Sequence, residues 1–263
     1  MSLGTILVTG ASGGIGYEIA KRLAPRADRL ILTARSADRL AAVGAELQAL
    51  GAPAVDVVPA DLATAGGAAA LLAALEGRGQ GVDVLVNNAG FGAAGSVAEL
   101  DLAVQLEMIQ LNVTSLVTLT RGLLPGMLAR RRGHVLNVAS VAGFQPGPYM
   151  AVYYATKAFV VSFSEALESE LRDTGVIVQT LCPGPTRTGF AARAGAESGA
   201  LFRQPGVMDV GPVADAAVAA LGRGGTVVPG FRNRLLIQSQ RVAPRRMVRG
   251  IVERLNRVRT GAS

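Results

Sequence analysis

Cysteine is nearly absent from this sequence of 263 residues: Cys182 stands alone, which excludes a disulfide within the chain. It lies in an apolar run without a neighbouring cation, so we expect a buried core residue and not a reactive thiol. The Gly- and Ala-rich run from Leu62 to Leu75 has 14 residues, too few to cross a hydrocarbon layer about 30 Å thick. The residues after Met1 contain neither a positive stretch nor a cleavage-like site, so we expect a soluble, cytoplasmic chain.

Lysine is also scarce, because the 26 basic residues are 24 arginines and the two lysines Lys21 and Lys157. The formal net charge of +7 would suit a nucleic-acid binder if it were spread over the chain. Residues 230 to 263, however, hold nine arginines and one acid (+8), whereas residues 1 to 229 hold 17 basic and 18 acidic groups (−1). The main body is therefore neutral, and nucleic acid is not the partner that we predict.

Apolar, β-branched runs alternate with helix-length stretches along the chain. Strands are predicted at Ile6–Thr9, Leu30–Ala34, Val55–Val58, Val82–Val86, His134–Ser140, Val176–Cys182 and Thr226–Pro229. Helices are predicted at Gly14–Pro25, Ala37–Leu50, Leu62–Glu76, Ala103–Arg131, Ala151–Asp173 and Pro212–Leu221. Strands that are apolar on both faces and alternate with crossover helices predict a doubly wound α/β fold, with a parallel sheet and helices on both faces. Ligands are expected beyond the carboxyl ends of its strands.

A glycine-rich turn, TGASGGIG at residues 9 to 16, lies between the first strand and the first helix. Such a turn lets a pyrophosphate approach the positive helix terminus, but alone it is a weak signal. NNAG at residues 87 to 90, Asn112, Ser140, Y-x-x-x-K at 153 to 157 and PG at 183 to 184 follow it in order. This set resembles the motifs of the short-chain dehydrogenases/reductases over residues 3 to about 229. The resemblance implies a seven-stranded Rossmann fold that binds a nicotinamide cofactor, formed by a single catalytic domain at residues 1 to 229. Residues 230 to 263 would then be a basic, partly helical extension.

The end of the second strand distinguishes the two nicotinamide cofactors. An NAD site has a carboxylate there for the ribose hydroxyls, whereas this chain continues Thr33-Ala34-Arg35-Ser36. The planar donors of Arg35 suit a 2′-phosphate, and Arg39 adds charge one helical turn later, so NADP(H) is predicted over NAD(H). Alternatively, Arg35 simply ends a strand in solvent. Gly13 departs from the pattern, since many NADP-dependent relatives have a basic residue at its position.

The resemblance implies a larger set of cofactor contacts. It comprises Gly10, Ser12, Gly13, Gly14, Ile15, Gly16, Arg35, Arg39, Asp61, Leu62, Asn88, Ala89, Gly90, Tyr153, Lys157, Pro183, Gly184, Thr186 and Thr188. As an Asp that precedes a helix, Asp61 also suits a helix cap. No metal site is predicted.

Acid–base chemistry is predicted on the fifth helix. Residues three or four apart share a helical face, so the spacing to Lys157 leaves both Tyr153 and Tyr154 open. The family pattern selects Tyr153, and the neighbouring ammonium and a positively charged nicotinamide should both favour its phenolate form. Ser140 can donate to the substrate oxygen, and the resemblance implies that Asn112 holds a water for proton relay to Lys157. The predicted catalytic residues are therefore Asn112, Ser140, Tyr153 and Lys157.

The substrate pocket is predicted to be mostly apolar, which favours a lipophilic ketone, aldehyde or secondary alcohol. Its expected rim is Phe91, Val141, Ala142, Phe144, Gln145, Tyr149, Met150 and a lid at residues 190 to 204. In the basic tail, Val248, Ile251, Val252, Leu255 and Val258 form one apolar stripe of a helix that starts near Pro244. That stripe could pack on the chain's own body or a second subunit, or bind an anionic membrane surface. Similar basic carboxyl ends occur in the branch of the family with LCPGPTRT, found here at residues 181 to 188.

These features together predict an NADP-dependent carbonyl reductase or secondary alcohol dehydrogenase. Its long helices at Ala103–Arg131 and Ala151–Asp173 resemble those through which relatives form dimers and tetramers, so a homodimer or homotetramer is expected. The alternative is a non-catalytic NADP-binding protein that docks on a membrane or a partner through its arginine-rich tail. The intact Ser140, Tyr153 and Lys157 argue against that alternative.

Overall fold

A parallel sheet forms the centre of the protein. The computed structural model describes residues 2 to 79, 81 to 196 and 206 to 257, apart from the side chain of Arg241. Its strands are β1 (Thr5–Thr9), β2 (Arg29–Thr33), β3 (Val55–Val57), β4 (Val84–Asn87), β5 (Gly133–Val138), β6 (Val176–Leu181), β7 (Thr186–Arg187), β8 (Met208–Asp209) and β9 (Gly225–Val227). All but β7 and β8 make a seven-stranded sheet in the order β3-β2-β1-β4-β5-β6-β9, and β7 pairs with β8 alone.

Helices cover both faces of this sheet. They are α1 (Gly14–Leu23), α2 (Ala37–Ala49), α3 (Gly67–Glu76), α4 (Leu102–Ile109), α5 (Ser115–Ala129), α6 (Ala151–Glu170), α7 (Phe190–Arg193), α8 (Val210–Ala219), α9 (Phe231–Val242) and α10 (Arg245–Asn256). Because side chains alternate along a strand, Ile6 and Val8 of β1 pack with α1, α2 and α8, whereas Leu7 packs with α3, α5 and α6. The predicted doubly wound Rossmann fold with seven parallel strands is confirmed.

The strand order reverses at β1, which has β2 on one side and β4 on the other. In open α/β sheets, the crevice beyond the carboxyl ends of the strands at such a reversal is the binding site. Thr9 at the end of β1 is level with Thr33 of β2, and Asn87 ends β4 beside Asn137 of β5. The loops that follow these strands therefore meet at one edge of the sheet.

The predicted helix at Ala103–Arg131 is one helical run with a change of pitch inside it. Residues Gln110–Thr114 form a π-helical turn between α4 and α5. In the described part of the chain, Leu102–Ala129 is also the helix long and apolar enough, by length and composition, to span a membrane. The most apolar stretch of this helix is 39% buried inside the protein. A core helix of a soluble protein can have the same length and composition.

Two helix predictions need correction. The third helix begins at Gly67 and not at Leu62, because Asp61 and Thr64 first form a turn in which the Thr64 hydroxyl donates to the Asp61 carbonyl (2.8 Å). The tail contains two helices, since α9 precedes the helix predicted to follow Pro244. Val258, which was assigned to the apolar stripe of that helix, lies outside the described residues.

Candidate active site

The turn between β1 and α1 is shaped by glycines that no other residue could replace without strain. Gly10 has a φ of 64° and Gly14 a φ of 58°, in the left-handed region. A Cβ atom on Gly16 would lie 2.3 Å from Nδ2 of Asn88, which donates to the carbonyls of Thr9 (2.9 Å) and Gly10 (3.2 Å). Asn88 therefore fixes the turn, and the amino terminus of α1 faces the space above it. This arrangement fits a pyrophosphate.

A cavity of about 990 Å³ extends from this turn along the carboxyl ends of the strands. All but one of the described residues that were predicted to contact the cofactor line this cavity. The exception is Gly16, which packs beneath the turn. The others lie on its wall: Gly10, Ser12, Gly13, Gly14, Ile15, Arg35, Arg39, Asp61, Leu62, Asn88, Ala89, Gly90, Tyr153, Lys157, Pro183, Gly184, Thr186 and Thr188.

Guanidinium groups border the end of the cavity beyond β2. Arg39 donates from Nε to the carbonyl of Ser12 (2.8 Å), which holds it over the glycine turn. The Arg35 side chain is 52% exposed, and its Nη1 lies 3.9 Å from a carboxylate oxygen of Glu107. Arg35 can therefore turn to a ligand with little loss of protein contacts, whereas Arg39 is already held beside the glycine turn. This end of the site can accept an anionic group of a ligand.

Asp61 marks the neighbouring wall. Its carboxylate accepts a hydrogen bond from the backbone N–H of Ala63 (3.0 Å), so it closes the turn before α3 while it also borders the cavity. The predicted role of Asp61 as a helix cap is therefore wrong, because α3 begins only at Gly67 and has Gly66 at its N-cap. Leu62 beside it is buried and adds an apolar surface to the same wall.

The segment after β6 returns across the glycine turn. The Thr188 methyl group would lie 3.5 Å from a Cβ on Gly14, and the Thr188 hydroxyl accepts from the N–H of Phe190 (3.2 Å). Thr186 is buried and donates from its hydroxyl to the carbonyl of Gly184 (2.9 Å). These contacts keep Pro183 to Thr188 against the cavity that the turn opens.

Tyr153 and Lys157 lie one helical turn apart at the start of α6. Lys157 is buried, donates from Nζ to the carbonyl of Val138 (2.8 Å), and lies 5.9 Å from the centre of the Tyr153 ring. Burial lowers the pKa of Lys157 to about 8. Burial also raises the pKa of the Tyr153 phenol, and a hydrogen bond with the Ser140 side chain opposes that rise. Burial therefore outweighs this hydrogen bond in the described site and favours the protonated phenol, while the predicted phenolate, which also depends on a bound nicotinamide, stays a prediction.

The two adjacent tyrosines have different partners. Tyr153 interacts with Ser140, whereas the Tyr154 hydroxyl donates to Oδ1 of Asn256 in α10 (3.2 Å). Their rings meet edge to face with centroids 6.0 Å apart. Ser140 follows β5, and its Oγ accepts from the N–H of Ala142 (3.1 Å). The phenol that faces the predicted serine is thus that of Tyr153.

Asn112 lies in the π-helical turn and is buried behind the cavity wall. Its amide exchanges hydrogen bonds with both backbone groups of Phe91 (2.9 and 3.1 Å) and donates to the Thr156 hydroxyl (3.0 Å). It therefore joins the loop after β4 to α6 beside Lys157. Its predicted service to a proton-relay water stays a prediction.

A chain of buried hydrogen bonds sets the spacing between the sheet and α6. Asn87 at the end of β4 donates to Thr120 of α5 (3.0 Å) and to Asn137 of β5 (2.9 Å). Asn137 donates to Ser164 of α6 (2.8 Å), whose hydroxyl donates to the Val160 carbonyl (2.7 Å). The helix that carries Tyr153 and Lys157 is thereby held at a defined height above β5.

The cavity wall contains only part of the rim that was predicted for the substrate pocket. Val141, Ala142, Gln145, Met150 and the start of the proposed lid line the cavity, but Phe91, Phe144 and Tyr149 do not. Of the proposed lid, residues 197 to 204 lie outside the described residues. The tail contributes wall residues that were not predicted: Arg232, Asn233, Leu236, Ser239, Gln240, Ala243, Met247, Val248, Ile251, Val252 and Leu255. The apolar stripe of the tail was the available signal, although it does not identify its partner.

Cys182 is a buried core residue, as predicted. Burial raises the pKa of its thiol to about 12, which keeps it protonated and unreactive at neutral pH.

Taken together, a phosphate-binding turn at a Rossmann switch point and a Ser-Tyr-Lys group on the same cavity define a nicotinamide-dependent oxidoreductase. The family model described as short chain dehydrogenase matches residues 4 to 199, and the chain belongs to this family. It is 41% identical over 189 residues to the "Granaticin polyketide synthase putative ketoacyl reductase 1" of Streptomyces violaceoruber, covering 71% of this chain and 69% of that protein.

Solved structures show the same likeness. A short-chain dehydrogenase from Sphingobium yanoikuyae in complex with NADPH is 34% identical with a TM-score of 0.81, over 91% of this chain and 94% of that one. A bulky-bulky ketone specific alcohol dehydrogenase from Comamonas testosteroni is 29% identical with a TM-score of 0.77, over 100% and 98% of the chains. Both NADP and NAD are bound in similar structures. The alternative of a non-catalytic protein finds no support among these relatives.

Proposed function

We propose that this oxidoreductase reduces a lipophilic ketone or aldehyde, or oxidises the corresponding alcohol, with NADP(H). The observation that supports this most directly is the position of Tyr153, Ser140 and Lys157 on a cavity that is also lined by Met247, Ile251 and other apolar side chains. NADPH, when bound, supplies the hydride. Related proteins named as ketoacyl reductase and ketone-specific alcohol dehydrogenase agree with a carbonyl substrate.

The chain's own residues would divide the remaining work. Protonated Tyr153 gives its proton to the carbonyl oxygen, which suits the raised pKa of its phenol in the reducing direction. Ser140 donates to the same oxygen and keeps it in line with Tyr153. The Lys157 ammonium stabilises the phenolate left after the transfer, because an opposite charge at close range favours the ionised form.

The test is NADPH oxidation over a panel of apolar ketones and aldehydes. We expect Tyr153→Phe to lower kcat by at least about 100-fold, the usual contribution of a general acid. Tyr154→Phe is the matched control, since it deletes the neighbouring hydroxyl and should keep most of the turnover of a small aldehyde. Loss of turnover in Tyr154→Phe alone would mean that the other phenol is the acid.

The preference for NADP(H) is part of the same proposal. It is supported by Arg35 and Arg39 at the end of the cavity beyond β2 and by the absence of an acid in the sequence from Thr33 to Ser36. Glu107 is the carboxylate near Arg35, and it already has this guanidinium as a partner. A 2′-phosphate would compete with Glu107 for Arg35 at short range.

We also propose a homodimer or homotetramer and a peripheral membrane contact through the tail. Exposed apolar side chains on α4 and α6, including Leu102, Leu106 and Phe159, support association of copies. Outward arginines of α10 and exposed Phe231 support attraction to an anionic surface. Analytical ultracentrifugation tests the first, and co-sedimentation with phosphatidylserine vesicles at low and high salt tests the second. A monomer, or binding that ignores both lipid charge and salt, would overturn the respective proposal.

A further inference from the structure

The C-terminal helices close one side of the substrate cavity. Asn233 of α9 is buried and donates to the Pro229 carbonyl (2.7 Å). It also packs against Gly184, since a Cβ atom on Gly184 would lie 2.4 Å from Oδ1 of Asn233. Further along α9, Gln240 donates to the side chain of Gln145, which belongs to the loop after β5. The start of the basic tail is thus fixed to two loops that border the reacting end.

Helix α10 has two unlike faces. Met247, Val248, Ile251 and Leu255 line the cavity, while arginines such as Arg249 lie on the exposed side. Met247 is 54% and Ile251 52% exposed although both line the cavity. Their apolar surface is therefore available to a ligand, and its burial would favour a bulky apolar molecule over a small one.

A buried polar contact ties the end of α10 to the catalytic helix. Asn256 accepts from the Tyr154 hydroxyl (3.2 Å) and donates from Nδ2 to the Pro148 carbonyl (3.0 Å). Asn256 and Tyr154 are 4% and 5% exposed, so neither can replace the bond with bulk water. Gly147 leaves no room for the ring to move away, since a Cβ there would be 2.1 Å from it.

We propose that α10 is a cover of the substrate pocket, held closed by the Tyr154–Asn256 bond, whose inner face selects bulky apolar carbonyl compounds. Met247 and Ile251 then determine specificity, and Tyr154 and Asn256 are positioning residues. This inference rests on the proposed function for its substrate class. Helix α10 is held by apolar contacts, by the buried Asn256 and by a hydrogen bond from the exposed Arg257 to the Tyr149 hydroxyl (3.1 Å). A helix with so few polar contacts opens more readily than the sheet, which gives a large substrate its entry.

Limited proteolysis tests the cover without any turnover, because α10 carries several arginines that trypsin can cleave once it opens. Tyr154→Phe removes the hydroxyl that donates to the side-chain oxygen Oδ1 of Asn256, and we expect cleavage within α10 to accelerate about tenfold. Asn256→Ala removes the bond from the tail side and should give the same result with the tyrosine intact. Tyr17→Phe is the matched control, since it deletes a hydroxyl bonded to Glu46 on α1 and α2. No acceleration in the first two variants, or an equal one in the control, would overturn the proposal.

Specificity is tested with a diaryl ketone and propanal as substrates for the full chain with NADPH. Ile251→Asp places a charge on the apolar face, and we expect it to raise the KM of the ketone relative to that of propanal about tenfold or more. Arg249→Ala, on the exposed face of the same helix, should leave this ratio unchanged. Equal changes for both substrates would refute selection by α10. Wild-type protein inactive on both would instead refute the proposed function, while the proteolysis result would still stand.

Discussion

Arg35 offers the sharpest test of the cofactor end of the site. Its side chain is 52% exposed and makes one loose ion pair with Glu107 at 3.9 Å. Exposed pairs of this kind contribute about 0 to 1 kcal/mol to stability, so Arg35→Ala should change the free energy of unfolding little. A hydrogen bond from Arg35 to a phosphate would instead be worth about 1.5 to 3 kcal/mol.

That difference converts to a loss of NADPH affinity of about 10- to 150-fold in Arg35→Ala. NADH has no 2′-phosphate, so its Kd should change by less than about twofold. Titration of the variant and the wild type with both cofactors, followed by protein fluorescence energy transfer to the reduced nicotinamide, gives the two ratios. Arg78→Ala, at an exposed position after α3, is the control for removing an arginine elsewhere.

An equal loss for both cofactors would show that Arg35 shapes the pocket without contacting a 2′-phosphate. An unchanged Kd for NADPH would leave Arg35 as a solvent-exposed strand end. In either case the assignment of NADP(H) from this residue is wrong, whatever the turnover of the variant.

Two further predictions concern the reacting end and the glycine turn. Lys157 has a pKa of about 8 in the folded protein, below its ordinary 10.5. Between these two pH values the unfolded chain keeps a proton that the folded chain has lost, so the stability of the wild type should rise with pH relative to that of Lys157→Met. In urea denaturation from pH 8 to 10, the rise in the free energy of unfolding should reach up to about 3 kcal/mol. A constant difference between the two proteins would contradict the burial of a charged amine. Gly16→Ala brings a methyl group within 2.3 Å of Asn88, so it should lower Tm and abolish NADPH binding. Gly66→Ala is the control, because open space surrounds that position and neither property should change. Normal NADPH binding in Gly16→Ala would show that the turn can relax.

The sequence predicted the fold, and also that Ser140, Tyr153 and Lys157 border one cavity, because those signals are local. Tyr153 and Lys157 are one helical turn apart, and Ser140 lies two residues after a strand whose carboxyl end faces the cleft. The π-helical turn at Asn112 has no comparable local signal, since it depends on bonds to Phe91 and Thr156 from distant elements. Such details require the assembled structure.

The tail and the phenol show the other limit. An apolar stripe on α10 predicts burial, but the hydrophobic effect is not directional, so the stripe cannot tell the substrate cavity from a membrane or a second subunit. The pKa of Tyr153 depends on how far its phenol is removed from water and on how close a charged group lies. Spacing along the chain indicates the nearby charge but not the burial. Burial outweighed the Ser140 hydrogen bond, which lowers this pKa, in the described site.

The amide and hydroxyl chain from Asn87 to Ser164 has a consequence for engineering. Apolar cores tolerate many exchanges of similar volume, because nothing but shape ties one side chain to the next. Here directional bonds cross the interior, so α6 keeps its height only while each donor meets its acceptor. Redesign of the surrounding aliphatic residues should therefore leave the reaction geometry intact, whereas an isosteric swap of Asn137 to Leu should shift it. Stability and activity can thus be altered through separate sets of interior positions.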